Sequence, residues 1–113
     1  MLRDKKLNYT VMLREIRMRM KLTKVPGAIS THRVLMYAIS TCLWCRKAKM
    51  FLENNSVEYE YIDIDRSSQK DREAIRADIL HRSAPFLFPT IIVDDKVLLT
   101  NPTETELRKV LEL

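Results

Sequence analysis

The sequence predicts an α/β domain in which helices cover both faces of a central, mixed, four-stranded β-sheet. Two observations lead to this prediction. Four apolar segments have the composition of strands, at residues 33–39, 57–64, 91–93 and 96–99. Segments with apolar residues at helical spacing follow the first, the second and the fourth of them. From residue 33 onward the predicted order is β-α-β-α-β-β-α, and the first two strands, joined by a helix, should run parallel.

The first strand and the first helix have the clearest patterns. Residues 34–39 are apolar with almost no polar alternation, which is typical of a strand in the middle of a sheet that is covered on both faces. Thr41 is predicted to cap a helix that begins at about Cys42. The helix is predicted to end at about Glu53, because the two asparagines that follow suit a helix C-terminus.

The remaining elements are predicted from capping and turn residues. Ser68 should cap the second helix, with Asp71 three residues later in capping-box fashion. The charged residues of that helix are predicted to be solvent exposed; they are Lys70, Asp71, Arg72, Glu73, Arg76 and Asp78. Asp94-Asp95 should form a hairpin turn, and a capping box beginning at Thr103 should open the last helix.

The N-terminal third differs in charge from the rest of the chain. Residues 1–33 contain nine Lys or Arg and two acidic residues, whereas residues 34–113 contain eleven basic and thirteen acidic residues. The formal net charge of +5 therefore belongs to the N-terminal third. We divide the chain into a basic N-terminal extension, residues 1–32, and a domain that spans residues 33–113.

Residues 9–22 of the extension fit two periodicities. Apolar and basic residues alternate from Ile16 to Leu22, which predicts a strand with a basic face, but an apolar stripe at helical spacing is present too. We favour a strand that ends before a type II turn at Pro26-Gly27 and pairs beside the first core strand. Its basic face would either contact nucleic acid or an acidic protein, or be solvated. We favour the solvated face, because aromatic residues are not interleaved with the basic ones.

Both cysteines of the chain, Cys42 and Cys45, lie two residues apart between the first strand and the first helix. A CxxC pair at such a junction is typical of a redox dithiol. Unpaired backbone N–H groups and the helix dipole stabilise a thiolate in the first turn, and Arg46 and Lys47 add positive charge nearby. Cys42 would attack a disulfide as a thiolate, and Cys45 would resolve the mixed disulfide.

Two other roles of a CxxC pair fit less well. A zinc site needs two further ligands, but the chain has no third cysteine, and His32 and His81 are far apart in sequence. A structural disulfide that closes so short a loop would restrain the unfolded chain little. We therefore expect no metal site, and a dithiol that is used and regenerated in a reducing compartment.

Over residues 33–113 the chain resembles glutaredoxin-like proteins of the thioredoxin superfamily. Three segments carry the resemblance: Thr41–Lys49 with Phe51-Leu52, then Val57–Tyr59 with Ile62–Asp65, and Phe88-Pro89-Thr90 leading into the hairpin. A dithiol at a strand–helix junction followed by a proline-led hairpin is much more specific than CxxC alone. The resemblance implies the thioredoxin fold and a thiol–disulfide oxidoreductase that carries electrons to protein or low-molecular-weight disulfides.

The resemblance also implies roles for the segment before the third strand. Pro89 would follow a cis peptide bond and face the dithiol. The backbone of Phe88 would pair with an extended substrate segment, and Thr90 would help to orient it. Trp44 and Phe86 would offer an apolar surface to a docked protein. Disulfide-containing proteins are therefore the expected clients.

Departures from the family pattern concern glutathione. Glutathione-binding members usually carry a Lys three residues before the first cysteine, where this chain has Ile39, and a Gly-Gly pair where it has Leu99–Thr103. Asn101 suits the positive φ of a lost glycine, and Thr103 could present N–H groups to a carboxylate. Glutathione or a protein reductase would supply the electrons, and the departures weigh against glutathione.

The resemblance implies no required cofactor. It also implies an alternative, a binding module in which Cys42 helps to hold an iron–sulfur cluster between two copies. The sequence shows no secretory signal and no apolar run of membrane-spanning length. We therefore expect a cytoplasmic protein without a membrane partner, and nucleic acid is a less favoured partner.

Overall fold

The computed structural model of the chain describes residues 20–113. Within this range the strands are β1 (Thr23–Val25), β2 (Val34–Ala38), β3 (Tyr59–Asp63), β4 (Thr90–Val93) and β5 (Val97–Thr100). The α-helices of this range are α1 (Leu43–Asn54), α2 (Gln69–His81) and α3 (Glu104–Val110), and a 3₁₀ turn at Ile64–Arg66 follows β3. From β2 onward this is the predicted element order, and β1 precedes it.

The strands form one mixed sheet in the order β1-β3-β2-β4-β5. β2 and β3 are parallel, as predicted, and the other neighbours are antiparallel. In the central strand, Val34, Met36 and Ala38 belong to a core shared with α1 and α3, whereas Leu35 and Tyr37 belong to a core shared with α2. Alternate side chains of β2 thus help to build both layers, which confirms the prediction of helices on both faces.

The N-terminal strand differs from the prediction. Residues 9–19, most of the predicted range, lie outside the described residues, and residues 20–22 are not in a strand. The strand that forms is Thr23–Val25, and it pairs with β3 instead of the first core strand. Because β3 and β4 already occupy both sides of β2, an added strand must pair further out in the sheet.

The predicted type II turn at Pro26-Gly27 is wrong, because Gly27 lacks the positive φ that this turn requires. A close approach explains the glycine instead. A Cβ atom at Gly27 would lie 2.5 Å from the backbone N of Glu58, closer than real Cβ atoms come. Ile29 extends the contact by bridging to Val57. The segment after β1 therefore packs directly on the backbone that leads into β3.

Three predicted caps and turns are confirmed. The Ser68 hydroxyl caps α2 by accepting the N–H of Asp71 at 3.1 Å, without the reciprocal hydrogen bond of a capping box. Thr103 and Glu106 form a complete capping box at the start of α3. The two hairpin residues, Asp94-Asp95, have φ angles of 53° and 58°. Such angles suit the two-residue turns that join twisted antiparallel strands.

Two acidic residues of α2 are buried, although the charge pattern predicted an exposed helix face. The Asp78 carboxylate accepts the O–H of Tyr37 at 2.5 Å and the Nε–H of Arg82 at 2.9 Å. Asp71 is buried as well and accepts the backbone N–H of Lys21 at 3.3 Å. A carboxylate is tolerated at these positions because it is hydrogen-bonded to groups from other elements.

Candidate active site

Cys42 is the N-cap of α1, which moves the cap by one residue from the predicted Thr41. Its Sγ accepts the backbone N–H of Cys45 at 3.2 Å. Because this N–H has no partner within the helix, the sulfur takes the place of the oxygen that caps most helices. A thiolate at this position gains a charge-assisted hydrogen bond and lies at the positive end of the helix dipole.

A carboxylate that sequence reasoning missed holds the turn before Cys42. Asp65, in the 3₁₀ turn after β3, accepts hydrogen bonds from the hydroxyl of Ser40 and, at 2.9 Å, from its backbone N–H. The hydroxyl bond, together with the N–H bond, holds the pKa of Asp65 below its usual value. Because Ser40 lies two residues before Cys42, the ionised Asp65 fixes the turn that carries the sulfur.

Cys45 lies at the inner side of α1 and has a different environment. It is 1% exposed, whereas Cys42 is partly exposed, and both are free thiols. Burial, reinforced by the hydrogen bond with Cys42, raises the pKa of the Cys45 thiol to about 12. At neutral pH Cys45 is therefore protonated. The two sulfurs are close in space, but only one of them is open to solvent.

The loop before β4 faces the dithiol. The Phe88–Pro89 peptide bond is cis, as predicted, and the carbonyl oxygen of Phe88 lies 3.9 Å from the Sγ of Cys42. Thr90 is fully buried and donates its hydroxyl to the carbonyl of Leu87 at 2.7 Å. Its backbone is paired with β2 on one side and β5 on the other. Thr90 therefore stabilises the loop through its hydrogen bond to Leu87. Because it is fully buried, its side chain is not accessible to a substrate.

Large apolar side chains are exposed on both segments that form the site. Leu43 and Trp44, between the cysteines, are 57% and 55% exposed, and Phe86 and Leu87, just before Phe88, are 47% and 55% exposed. We call these four side chains the apolar rim. Contiguous exposed apolar side chains often mark interaction surfaces, whereas single exposed apolar residues are ordinary. The expectation that Trp44 lies at the surface is confirmed.

Comparison with known proteins agrees with this geometry. The family described as Glutaredoxin matches residues 34–98, which is more than half of the 113-residue chain. The chain belongs to the glutaredoxin family. Members of this family are generally thiol oxidoreductases, and the matched range contains the dithiol and the cis-proline loop.

Similar curated proteins are bacterial glutaredoxins. Glutaredoxin 1 of Rickettsia bellii is 31% identical over 64 residues, which are 57% of this chain and 64% of that protein. Glutaredoxin 1 of Rickettsia typhi is 35% identical over 43 residues, which are 38% of this chain and 41% of that protein. The matches thus span roughly two fifths to two thirds of the length of these relatives.

Similar solved structures come from archaea. The glutaredoxin of Methanosarcina mazei Go1 superposes with a TM-score of 0.71 at 31% identity, covering 81% of this chain and 88% of that one. Methanoredoxin of Methanosarcina acetivorans superposes with a TM-score of 0.68 at 27% identity, covering 77% and 90% of the two chains. These neighbours confirm the predicted thioredoxin fold.

The segment that replaces the family's Gly-Gly pair has one feature that suits glutathione and one that opposes it. Asn101 has a φ of 45°, as expected for a glycine replacement, and its N–H donates to the Pro89 carbonyl at 2.8 Å. Thr103 is already occupied, because its N–H and hydroxyl lie 3.2 and 3.1 Å from the carboxylate of Glu106. The N–H and the hydroxyl of Thr103 thus already contact a carboxylate of the chain itself.

The positive charges near the dithiol include the two predicted residues and one that was not predicted. Arg46 and Lys47 are exposed, and the Lys47 ammonium lies 4.7 Å from the centre of the Trp44 ring, a cation–π distance. Sequence reasoning missed Lys49, which is partly buried and forms an ion pair of 3.3 Å with Asp63. Its charge opposes the effect of burial on the pKa of the Cys45 thiol.

Two further findings concern metals and membranes. Within residues 20–113, no three His, Cys, Asp or Glu side chains are grouped closely enough to hold a metal ion. The two histidines have different surroundings: His32 contacts Asp94 and Glu112, and His81 is the last residue of α2. No helix in the described part of the chain combines the length and the apolar character needed to cross a bilayer.

Proposed function

We propose that this chain is a thiol–disulfide oxidoreductase in which Cys42 is the nucleophile and Cys45 the resolving thiol. It would reduce protein or low-molecular-weight disulfides as an electron carrier. The observation that carries the proposal is the asymmetry of the two sulfurs. Cys42 is accessible and accepts a helix N-terminal N–H, whereas Cys45 is buried with a pKa of about 12. Cys42 is thus accessible to a client disulfide, whereas Cys45 stays buried and protonated until the mixed disulfide has formed.

The proposed reaction has two exchange steps. First, the Cys42 thiolate attacks one sulfur of the client disulfide. A bond forms between them, the client S–S bond breaks, and the second client sulfur leaves as a thiolate with the electron pair. That thiolate provides the base that takes the proton of Cys45. Cys45 then attacks Cys42, and the first client sulfur leaves as a thiolate. The client gains two electrons, and the chain is left with a Cys42–Cys45 disulfide.

Neighbouring groups would hold the client during these steps. The Phe88 carbonyl beside Cys42 would pair with the backbone of an extended client segment, in the manner of strand addition. Pro89 would shape this loop, and Trp44 and Phe86 would pack against apolar client side chains. Arg46 and Lys47 would contribute only a screened positive potential, because both side chains are exposed.

A reductant must return two electrons to the dithiol, and we propose a protein reductase for this role. Two observations favour it over glutathione. Ile39 stands where a glutathione-binding Lys is usual, and the donors of Thr103 are already occupied by Glu106. The proposed cycle needs no bound cofactor. Its dependence on a reductant would place it in a reducing compartment such as the cytoplasm.

Reduction of insulin by dithiothreitol tests the roles of the two cysteines. The wild-type chain should accelerate the reaction, and Cys42→Ser should abolish the acceleration. In a separate mixture without dithiothreitol, the reduced Cys45→Ser variant should stop at a mixed disulfide with insulin, seen by mass spectrometry as a covalent adduct of the client on Cys42. Acceleration by the Cys42→Ser variant would overturn the proposal.

A second assay tests the electron donor. With insulin as the disulfide acceptor, the chain is supplied either with glutathione and glutathione reductase or with a thioredoxin reductase, and the consumption of NADPH is followed. We expect turnover with the thioredoxin reductase and little turnover with glutathione and glutathione reductase. Rapid turnover with glutathione would contradict the donor proposal and leave the roles of the cysteines intact.

A further inference from the structure

A groove of about 280 Å³ lies between α2 and the cis-proline loop. Ile75 and Ile79, both buried, form its floor, and Phe86 and Phe88 line its wall. Phe88 is also the residue whose carbonyl faces Cys42. A client segment that pairs with the Phe88 backbone would therefore lie beside the groove while its cysteine reacts.

Two guanidinium groups add positive charge to this groove. Arg72 and Arg76 project from α2, one turn apart, and both are exposed. Arg76 lies 5.9 Å from the centre of the Phe86 ring. Within residues 20–113 neither has an ion pair, whereas Arg82 on the same helix is paired with Asp78. The groove thus combines an apolar floor with uncompensated positive charge.

We propose that this groove selects client proteins that carry a large apolar residue and an acidic residue near the reactive cysteine. The inference rests on the proposed function and specifies its client. The apolar side chain would pack on Phe86 and Phe88, which are accessible above the buried Ile75 and Ile79, and the carboxylate would bind the Arg72 or Arg76 guanidinium. Residues 1–19 of the chain itself, with six basic and two acidic residues, are a poor occupant because like charges repel.

The test measures how fast Cys42 attacks a set of peptides in the Cys45→Ser variant. Each peptide carries one cysteine as a mixed disulfide with thionitrobenzoate. Attack forms the Cys42–peptide disulfide and breaks the bond to thionitrobenzoate, which leaves as a coloured thiolate with the electron pair. One peptide has Leu and Glu on one side of the cysteine. A second has Lys for Glu, and a third has Ser for Leu. Each peptide is made in two versions, one with these residues before the cysteine and one with them after it.

At low salt we expect the Leu/Glu peptide to react about 3–10-fold faster than the Leu/Lys peptide, and the ratio should shrink at high salt. Arg72→Gln and Arg76→Gln should each reduce the ratio, and the double variant should bring it close to one. Lys70→Gln is the matched control, because it is exposed on the same helix and changes the charge equally but lies outside the groove. Phe86→Ala should reduce the advantage of Leu over Ser.

Three results would overturn the proposal. Equal rates for all peptides would exclude a selective groove but leave the proposed function intact. A glutathione–thionitrobenzoate disulfide is run in parallel, and dependence on the arginines for this substrate alone would mean that the groove binds glutathione and not a protein segment. Absence of thionitrobenzoate release from every substrate would overturn the proposed function and the groove with it.

Discussion

The two ends of β2 differ in the side chains that surround them: exposed apolar residues at one end and paired charged residues at the other. Its C-terminal end leads into the dithiol and is surrounded by the apolar rim, whose side chains are about half exposed. Near its N-terminal end, and beside it at the end of α2, charged groups pair with one another. This charged cluster consists of His32, Asp78, Arg82, Asp94, Asp95 and Glu112. His32 lies 2.7 Å from Asp94 and 3.2 Å from Glu112. Arg82 contacts Asp78 at 2.9 Å and the Asp95 carbonyl at 3.1 Å.

The difference separates stability from reactivity. The charged cluster joins the segment before β2, the hairpin turn, the end of α2 and the residues after α3, so its polar groups are satisfied within the chain. The dithiol end leaves apolar side chains exposed, as the proposed client surface requires. Substitutions in the charged cluster should therefore change the free energy of unfolding, whereas substitutions in the apolar rim should change turnover.

The largest effect is expected from Asp78→Ala. It leaves Arg82 without its buried partner, and the free energy of unfolding should fall by about 3–5 kcal/mol, measured by urea denaturation. If this variant does not fold, Tyr37→Phe removes one hydrogen bond to the carboxylate and should cost about 1.5–3 kcal/mol. Glu73→Ala, at an exposed position of α2, is the control and should change little. Unaltered stability in Tyr37→Phe would contradict the stabilising role of the cluster.

A smaller effect is expected from Trp44→Ala at the dithiol end. Loss of this exposed ring should lower kcat/KM for insulin reduction by about tenfold, as for an interface anchor. The free energy of unfolding should stay within about 0.5 kcal/mol of the wild type. Met50→Ala, an equally exposed apolar position later in α1, should affect neither quantity. A Trp44→Ala variant with normal kcat/KM would remove Trp44 from the client surface.

Asp65→Asn should have a moderate effect, also at the dithiol end. The amide accepts the Ser40 hydrogen bonds less strongly, so alkylation of Cys42 by iodoacetamide should slow by a few-fold. The pKa of Asp65 is lowered in the folded chain, so its contribution is complete at neutral pH and is lost only as the pH falls through that lowered value. Glu60→Gln, on the adjacent β3, serves as a control for loss of an acidic group. An unchanged alkylation rate in Asp65→Asn would show that the turn does not need this carboxylate.

The smallest effect concerns pH and His32. The hydrogen bond with Asp94, aided by Glu112, raises the pKa of His32 above its usual value of 6.5. Its contribution to stability is therefore fully present below that value and is lost as the pH rises through the raised pKa. In urea denaturation, His32→Gln should abolish this decline, and His81→Gln should keep it. A decline of equal size in His32→Gln would assign it to another group.

Local patterns predicted much of the fold and the centre of the site. The unbroken apolar run of β2, the capping residues Ser68 and Thr103, and the position of the CxxC pair each reflect interactions between neighbours in sequence. The cis bond before Pro89 was implied by the family resemblance and is present. These features were predictable because a short segment contains the physical cause, or because the family motif is specific.

The features that were missed depend on partners that are distant in sequence. Asp78 was predicted to be exposed, since its helix is rich in charge, but Tyr37 from β2 lies beneath it. Asp65 holds Ser40 from the next strand–turn segment. Gly27 was assigned to a turn, although the nearby backbone of Glu58 explains it. Each error has the same cause, because local periodicity does not reveal which element packs on which.

Differential alkylation shows whether the two sulfurs differ in the folded chain. The reduced chain is treated with iodoacetamide at pH 7 and the modified cysteine is located by mass spectrometry, with and without denaturant. We expect Cys42 alone to be alkylated in the folded chain, because Cys45 is buried with a pKa of about 12, and both to be alkylated after denaturation. Equal alkylation of both cysteines in the folded chain, or prior alkylation of Cys45, would contradict the assignment of nucleophile and resolving thiol.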